Sequence, residues 1–309
     1  MNQNTLVTPT KNRSDLLGVG AALITVIIWA SWLLSMKAGV QSRMSHVDLG
    51  ILRFGVTGLL LMPIFLRRWR VIFQAPKRYL LGISVGAGVP FFYLSSLGMK
   101  MAPVSDAGLL ITGTFPLFVT FAAVVFYQER LSLQRAFGLS AILVGVTIMI
   151  SLSLLNGDHT SVKGDFIFLA ASMAWALFTV SLKLSGLKPW DAAAWLCVSS
   201  SIILLVGIST GFLDTQIAQV PTDTLLHQGV VQVLCVGIIT GFSYGFAVRQ
   251  LGAENTSAIG AFTPVLAVIG GIVLLGEHVP TVTWIGLGCI TLGVLLASGY
   301  RFFPFKAAL

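Results

Sequence analysis

The chain has 309 residues, of which 56% are apolar and only 10% are charged, and its formal net charge is +8 at pH 7. A soluble domain carries about 25% charged residues to cover its surface, so this composition excludes a soluble globular protein. The apolar residues form runs of about 18–22, the length of helix that crosses a hydrocarbon core, without the alternation of barrel strands. The sequence therefore predicts an all-α integral membrane protein.

Ten transmembrane helices are predicted, and the polar connections between them are short. A cytoplasmic tail, 1–15, precedes the first span, and a second tail, 301–309, follows the last. The first apolar run reaches about Met36, which is too long for the core of a signal peptide, so it is predicted to be retained. In chain order the spans are 16–36, 49–66, 79–97, 104–126, 134–154, 164–184, 191–211, 226–248, 255–275 and 281–300.

Basic residues divide unequally between the two alternating sets of loops. The set that includes both termini carries 14 of the 19 Lys and Arg residues, the other set carries 4, and Arg53 lies inside a span. Since cytoplasmic loops are enriched in Lys and Arg, both termini are predicted to be cytoplasmic in a bacterial inner membrane. This role for the basic residues argues against nucleic-acid binding. The three cysteines lie in apolar runs without metal-ligand spacing, so no metal or cofactor is expected.

An internal repeat runs through the chain. It predicts two five-helix units, 16–154 and 164–300. Because each unit has an odd number of spans, the second unit must enter the membrane inverted, around a central cavity between the units. At an offset of 146, Gly18, Trp29 and Lys37 match Gly164, Trp175 and Lys183; at an offset of 148, Pro116, Glu129, Gly138 and Gly145 match Pro264, Glu277, Gly286 and Gly293.

With these repeated residues, the sequence resembles members of the drug/metabolite transporter superfamily, specifically its EamA-type ten-helix members. The resemblance lies in Phe115-Pro116 and Thr263-Pro264 in the fourth helix of each unit, each followed by a Glu and a Gly-rich fifth helix. It is closest to exporters of the YddG type, which are associated with aromatic and other amino acids. The resemblance implies a small-molecule transporter embedded in the bilayer, without a cofactor; the oligomeric state is left open, and a monomer is compatible with it.

Three prolines inside predicted spans are candidate hinges. Pro116 and Pro264 occupy equivalent repeat positions, and Pro90 follows the Gly-rich stretch 86–88. Proline removes a backbone donor and kinks a helix, so these positions suit the gating of a transport path. The alternative is a static kink that packs without moving.

One cation, Arg53, is predicted to lie well inside a span. A charge at that depth is costly unless it faces a cavity or a partner. We expect Arg53 to bind a substrate carboxylate or to form a gate pair with Asp106 at the start of the fourth span. The alternative is that the guanidinium reaches outward to the lipid headgroups.

Four aromatic residues lie away from the span ends, unlike the interfacial aromatics of membrane proteins. We expect Trp29, Tyr93, Trp175 and Tyr244 to line a substrate cavity, with Thr179 supplying a hydroxyl group. Packing in the core or against lipid is the alternative. Glu129 and Glu277 end the fourth helix of each unit and are expected to shape the turn or a gate. No carboxylate lies in the middle of a span, so no proton-coupling residue is assigned.

The function predicted from these features is secondary transport: export of amino acids, including aromatic ones, or of related metabolites by alternating access. One alternative is an exporter of other drugs or of cationic or nucleotide-type metabolites. An intramembrane enzyme is disfavoured because the spans contain no nucleophile–base set or carboxylate pair. The absence of a nucleotide-binding loop disfavours a primary pump.

Overall fold

The computed structural model describes residues 11–298 apart from Arg43 and Glu129, so the predicted tails lie largely outside the described residues. The described part is helical and contains no β-strand. Nine helices are long and apolar enough to cross a membrane, and a tenth apolar helix has 17 residues. They are α1 (Asp15–Gln41, continuing a helix that begins at Lys11), α2 (His46–Gln74), α3 (Lys77–Met101), α4 (Val104–Val125), α5 (Leu133–Leu155), α6 (His159–Ser185), α7 (Pro189–Ser209), α8 (Thr222–Gly252), α9 (Asn255–Leu275) and α10 (Thr281–Ala297).

The helices extend beyond the predicted apolar spans. The second span was predicted to end at residue 66, but α2 continues to Gln74 through three arginines. Arginine is a good helix former, so the backbone stays helical after the hydropathy falls. Many apolar side chains on the outside of the bundle are well exposed, as Leu59 (71%) and Val273 (73%) illustrate. Such a surface suits contact with lipid chains.

Each of the three predicted hinge prolines stands near the start of a new helical segment after a break. The segment with Pro90 begins at Val89, that with Pro116 at Phe115, and that with Pro264 at Thr263. Proline fits the first turn of a helix because the backbone N–H there has no intrahelical partner. The spans α3, α4 and α9 are therefore each built from two helical segments rather than from one kinked rod.

Three spans also contain π-helical turns, which insert an extra residue and often occur at functional sites. They are Ile51–Val56 in α2, Gly108–Thr112 in α4 and Val230–Ile239 in α8. The turn in α2 includes Arg53.

Helices pack in a regular set of pairs. The helix α1 packs on α8 and α9, whereas α6 packs on α3 and α4. Two further pairs are α2 with α7 and α5 with α10. Large side chains that are almost completely buried occur along most of the bundle, for example Leu33 of α1, Phe54 of α2, Phe168 of α6 and Ile290 of α10.

Glycines allow α5 and α10 to approach closely, and this contact yields a stability prediction. A methyl group on Gly293 would lie 2.6 Å from the Gly138 carbonyl oxygen, whereas one on Gly288 of the same helix meets nothing within 4 Å. We expect Gly293→Ala to lower the free energy of unfolding by about 1–3 kcal/mol through overpacking. Gly288→Ala is the matched control and should leave stability unchanged or slightly raised. Thermal unfolding in detergent measures both, and equal melting temperatures would contradict the packing argument.

Candidate functional site

Polar side chains from α1 and α8 bind each other inside the bundle. Ser35 Oγ donates to Gln228 Oε1 at 2.8 Å, and Gln228 Nε2 donates to the Ser35 carbonyl at 2.8 Å. Gln232, one turn further along α8, directs its Nε2 to Gln228 Oε1 at 3.5 Å. All three side chains are at most 3% exposed. This network fixes α1 against α8 and places hydrogen-bonding groups in an apolar interior.

Further buried polar atoms on α1, α2 and α8 have no hydrogen-bond partner within the described part of the chain. Apart from His46 Nδ1 at the start of α2, they are Trp32 Nε1, Arg53 Nη1, Thr57 Oγ1 and Gln232 Oε1. The helices α2 and α8 meet at Thr57, since a methyl group on Gly237 would lie 2.8 Å from Thr57 Oγ1. Buried polar groups are normally satisfied, so this set makes the region, hereafter the central site, a candidate for ligand binding.

Arg53 lies beside α7 rather than beside α4. Its guanidinium interacts with the thiol of Cys197, and Cζ is 5.4 Å from the ring centroid of Phe54. No contact between described residues joins Arg53 to Asp106, so the expected gate pair is not formed in this structure. Nη1 is buried and unpaired among the described residues, which leaves a cationic donor free to meet an anionic group.

A row of aromatic rings connects α1, α3 and α6. Trp32 stacks on Phe91 with ring centroids 5.9 Å apart, and Phe91 lies 5.0 Å from Trp175. Trp175 in turn lies 5.0 Å from Phe178. The row presents flat apolar surface, and the unpaired indole N–H of Trp32 gives it a polar handle.

The predicted cavity aromatics fall into separate groups. Trp29 contacts Tyr244 of α8, with ring centroids 5.6 Å apart. Thr179 Oγ1 donates to the Trp175 carbonyl at 2.9 Å. Tyr93 is 48% exposed and contacts the His46 ring near the α1–α2 connection, away from the other three aromatics.

The turn between α3 and α4 is capped on both sides by charged residues from other helices. Lys37 of α1 is 9% exposed, and its Nζ donates to the carbonyls of Met99 and Ala102 at 2.7 and 2.8 Å. Glu277, just after α9, accepts from the Val104 N–H at 2.8 Å and the Ser105 N–H at 3.4 Å. The ammonium group of Lys37 thus lies at the carboxyl end of α3, and the carboxylate of Glu277 lies at the amino end of α4. The helix dipoles favour both placements.

The Glu277 contact gives a second stability prediction. We expect Glu277→Gln to lower the free energy of unfolding by about 1–2 kcal/mol, because a neutral amide caps the start of α4 less strongly than a carboxylate. His278→Ala, at the exposed neighbouring position, is the control and should leave the melting temperature unchanged. Thermal unfolding in detergent is the measurement, and a Glu277→Gln variant as stable as the parent would remove the capping role.

At the opposite end of the bundle the repeat partner of Lys37 has no such environment. Lys183 is exposed, and the partner of Glu277, Glu129, lies outside the described residues. The ion pair at this end is between α2 and α7, where Arg68 Nη2 lies 3.0 Å from Asp191 Oδ2. Two ends with related sequences therefore have different contacts.

Several residues of these sites were not among the predicted site residues. Lys37 was assigned to a loop, although its match with Lys183 was a signal that it has a specific position. Gln228 and Gln232 lie four residues apart within a predicted span, which places both on one helix face. Trp32 carried no repeat signal, and its role depends on the position of Phe91.

A bundle of apolar helices long enough to cross a membrane is the architecture of a polytopic membrane protein. Comparison with known proteins gives the family: the EamA-like transporter family model matches twice, over residues 16–151 and 162–299. The chain belongs to this family. It is therefore a multi-pass membrane transporter of a small-molecule substrate.

Curated relatives are similar over most of their length. The chain is 26% identical over 289 residues to a probable amino-acid metabolite efflux pump of Salmonella typhimurium, covering 91% of this chain and 94% of the relative. It is 24% identical to the transporter YoaV of Bacillus subtilis, over 87% of this chain and 92% of YoaV. It is 25% identical to the threonine/homoserine exporter RhtA of Escherichia coli, over 75% of each chain. One solved crystal structure shares the fold, with a TM-score of 0.59 and 18% identity, covering 93% of this chain and 98% of that one.

Proposed function

We propose that the protein is a secondary transporter that exports amino acids, including aromatic ones, or related small metabolites from the bacterial cytoplasm by alternating access. The two units, 16–154 and 164–300, are inverted copies, and substrate binds between them. The segments of α3, α4 and α9 that have a proline in their first turn move when either end of the bundle closes. A monomer contains both units and is sufficient for this cycle.

The pairing of the helices is the observation that carries this proposal. Exchanging the two units turns α1 into α6, α8 into α3 and α9 into α4. The contacts of α1 with α8 and α9 then become the observed contacts of α6 with α3 and α4. The same exchange turns α2 into α7 and α5 into α10, so the contacts within these two remaining pairs are unchanged by it. Such a relation is expected of two inverted units around a fixed binding site.

The difference between the two ends supports alternating access. Lys37 and Glu277 tie three helices together at the α3–α4 turn, whereas Lys183 at the matching position is exposed. With both termini in the cytoplasm, the Lys37 end faces outward. The state described is then closed to the outside, and a state closed to the inside would bury Lys183 instead.

Amino acids suit the central site because their groups complement it. Arg53 offers an unpaired donor for a carboxylate, Gln232 Oε1 is an acceptor for an ammonium group, and the ring row offers a surface for an apolar or aromatic side chain. Two relatives are named as a probable amino-acid metabolite efflux pump and a threonine/homoserine exporter. The positive charge of Arg53, whose buried Nη1 is unpaired among the described residues, disfavours cationic metabolites.

Counterflow in proteoliposomes tests the function directly. Vesicles loaded with one unlabelled amino acid are given a trace of the same labelled amino acid, across a panel that includes threonine, homoserine and the aromatic amino acids. We expect saturable uptake of at least one member, absent from protein-free vesicles. Saturable exchange of no panel member would remove the amino-acid assignment and leave the fold intact.

A further inference from the structure

A buried carboxylate near the Lys37 end has no role in the contacts described so far. Asp165, two turns into α6, is 1% exposed, and neither of its oxygens has a hydrogen-bond partner among the described residues. Asp106 of α4 is 6% exposed and accepts one hydrogen bond, from Ser105 Oγ at 3.3 Å. The segment Val104–Ala107, which contains Asp106, packs against α6, so the two carboxyl groups belong to neighbouring segments and their charges act on each other.

The surroundings of the two carboxyl groups are tightly packed. A methyl group on Gly164 would come within 2.7 Å of Ala102 Cβ, which places the start of α6 directly against the α3–α4 turn. Phe168, one turn further along α6, is completely buried, and a methyl group on Gly98 of α3 would clash with its ring. Water is therefore excluded from this side of Asp165 by α3.

The charged groups around Asp165 do not balance it. From α1, Lys37 interacts with Asp106 and Glu277, but its ammonium group already donates to two carbonyls. Glu277 after α9 is itself an anion. Lys163 on α6 and Lys100 on α3 are both exposed, and Lys100 contacts His46. The fully ionised cluster would hold three carboxylates and one ammonium group.

Asp158, at the start of α6, adds negative charge on the same side. It lies outside the spans and is exposed. Its carboxylate accepts hydrogen bonds from the side chain and the backbone N–H of Ser161, which hold the pKa of Asp158 below its usual value. Asp158 therefore stays ionised at neutral pH. Its negative charge makes ionisation of the Asp165 carboxyl group less favourable.

Of the two buried carboxyl groups, Asp165 has less support for a negative charge. Asp106 lies in the first turn of α4, where the helix dipole and the Ser105 hydroxyl favour an anion. Asp165 has neither contact, and an unpaired buried carboxyl group is more stable when neutral.

We propose that Asp165, together with Asp106, is a proton-binding site that is occupied while the Lys37 end is closed and is emptied when that end opens to water. Opening hydrates both carboxyl groups and frees the proton to the solvent; closing takes one proton up again. The conformational cycle is then linked to the proton concentration on the side that this end faces. This coupling rests on the proposed alternating-access function, whereas proton binding by itself does not.

Infrared spectroscopy of the full-length protein in liposomes tests proton binding without any substrate. The pH is changed between about 5 and about 9, and the C=O stretch of protonated carboxyl groups is followed. We expect wild type to show a protonated-carboxyl band at neutral pH that Asp165→Asn removes. The exposed Asp214→Asn, which removes a carboxylate far from the cluster in the chain, is the matched control and should leave the band in place.

Asp165→Glu is a second variant in case the asparagine variant does not fold, because it keeps the carboxyl group and should shift the band. Absence of the band in wild type, or a band that neither variant changes, would overturn the proton site. Amino-acid counterflow in the same liposomes decides the transport function separately. A pH-dependent exchange rate in wild type that becomes independent of pH in Asp165→Asn supports the coupling, and the same pH dependence in both overturns it.

Discussion

Lys37→Met is expected to open the Lys37 end of the bundle and to lower stability. Methionine has a similar shape but cannot donate to the Met99 and Ala102 carbonyls, and it leaves Glu277 and Asp106 without a neighbouring cation. Removing one partner from a buried charged contact typically costs about 3–5 kcal/mol. Because an opened end exposes these groups to water, we expect much of this cost to appear as a shift toward the open state.

Cys197 is a built-in reporter for that shift. It is 2% exposed and lies beside Arg53 at the central site. In a Cys235→Ala, Cys289→Ala background it is the single remaining cysteine. We expect Lys37→Met to increase its labelling by a membrane-impermeant maleimide from the Lys37 side by about tenfold or more, since each 1.4 kcal/mol is a factor of ten in population.

Lys183→Met is the matched control, because it removes the same charge at the repeat position, where the side chain is exposed. It should leave the melting temperature unchanged and should not increase labelling from the Lys37 side. If Lys37→Met were labelled no faster than the parent, the Lys37 contacts would not be a gate.

Arg53→Met is expected to weaken amino-acid exchange strongly without destabilising the protein. A hydrogen bond between the guanidinium and a substrate carboxylate contributes about 1.5–3 kcal/mol, so the apparent affinity should fall about tenfold to a hundredfold. Stability should be unchanged or higher, because the buried Nη1 of the partly buried Arg53 has no partner among the described residues and its desolvation is uncompensated. Counterflow rates and thermal unfolding measure the two effects.

Arg67→Met on the same helix is the control for charge, since Arg67 is exposed. It should leave exchange unaltered. Amino-acid amides lack the carboxylate, so they should be poor competitors of labelled amino acid for exchange by the wild-type protein. They should compete equally poorly for exchange by the Arg53→Met variant. Unaltered exchange in Arg53→Met would remove its role as a carboxylate-binding residue.

Arg53 also distinguishes the two units from each other. Its repeat counterpart is Ser199, whose Oγ lies 2.8 Å from Ser84 Oγ. A cation in the first unit thus corresponds to a neutral hydroxyl group in the second, and that hydroxyl group bonds back to the first unit. The two units are therefore chemically different at this repeat position.

The sequence by itself determined the class of the protein and the outline of its architecture. Runs of apolar residues require helices in a membrane, because unpaired backbone groups cannot remain in hydrocarbon. The candidate hinges Pro90, Pro116 and Pro264 coincide with three starts of helical segments, although Pro63 lies inside α2 without a break. Arg53 was recognisable as an interior cation since its neighbours along the chain are apolar.

Only the tertiary structure decided which polar residues are buried. Lys37 and Asp165 stand near span ends, where hydropathy predicts contact with water, yet the packing of α1, α3, α4 and α6 removes them from it. The Arg53 neighbour turned out to be Cys197 rather than Asp106, and Tyr93 lies apart from Trp29 and Trp175. Burial and partner choice depend on contacts between residues far apart in the chain, and local periodicity carries no information about them.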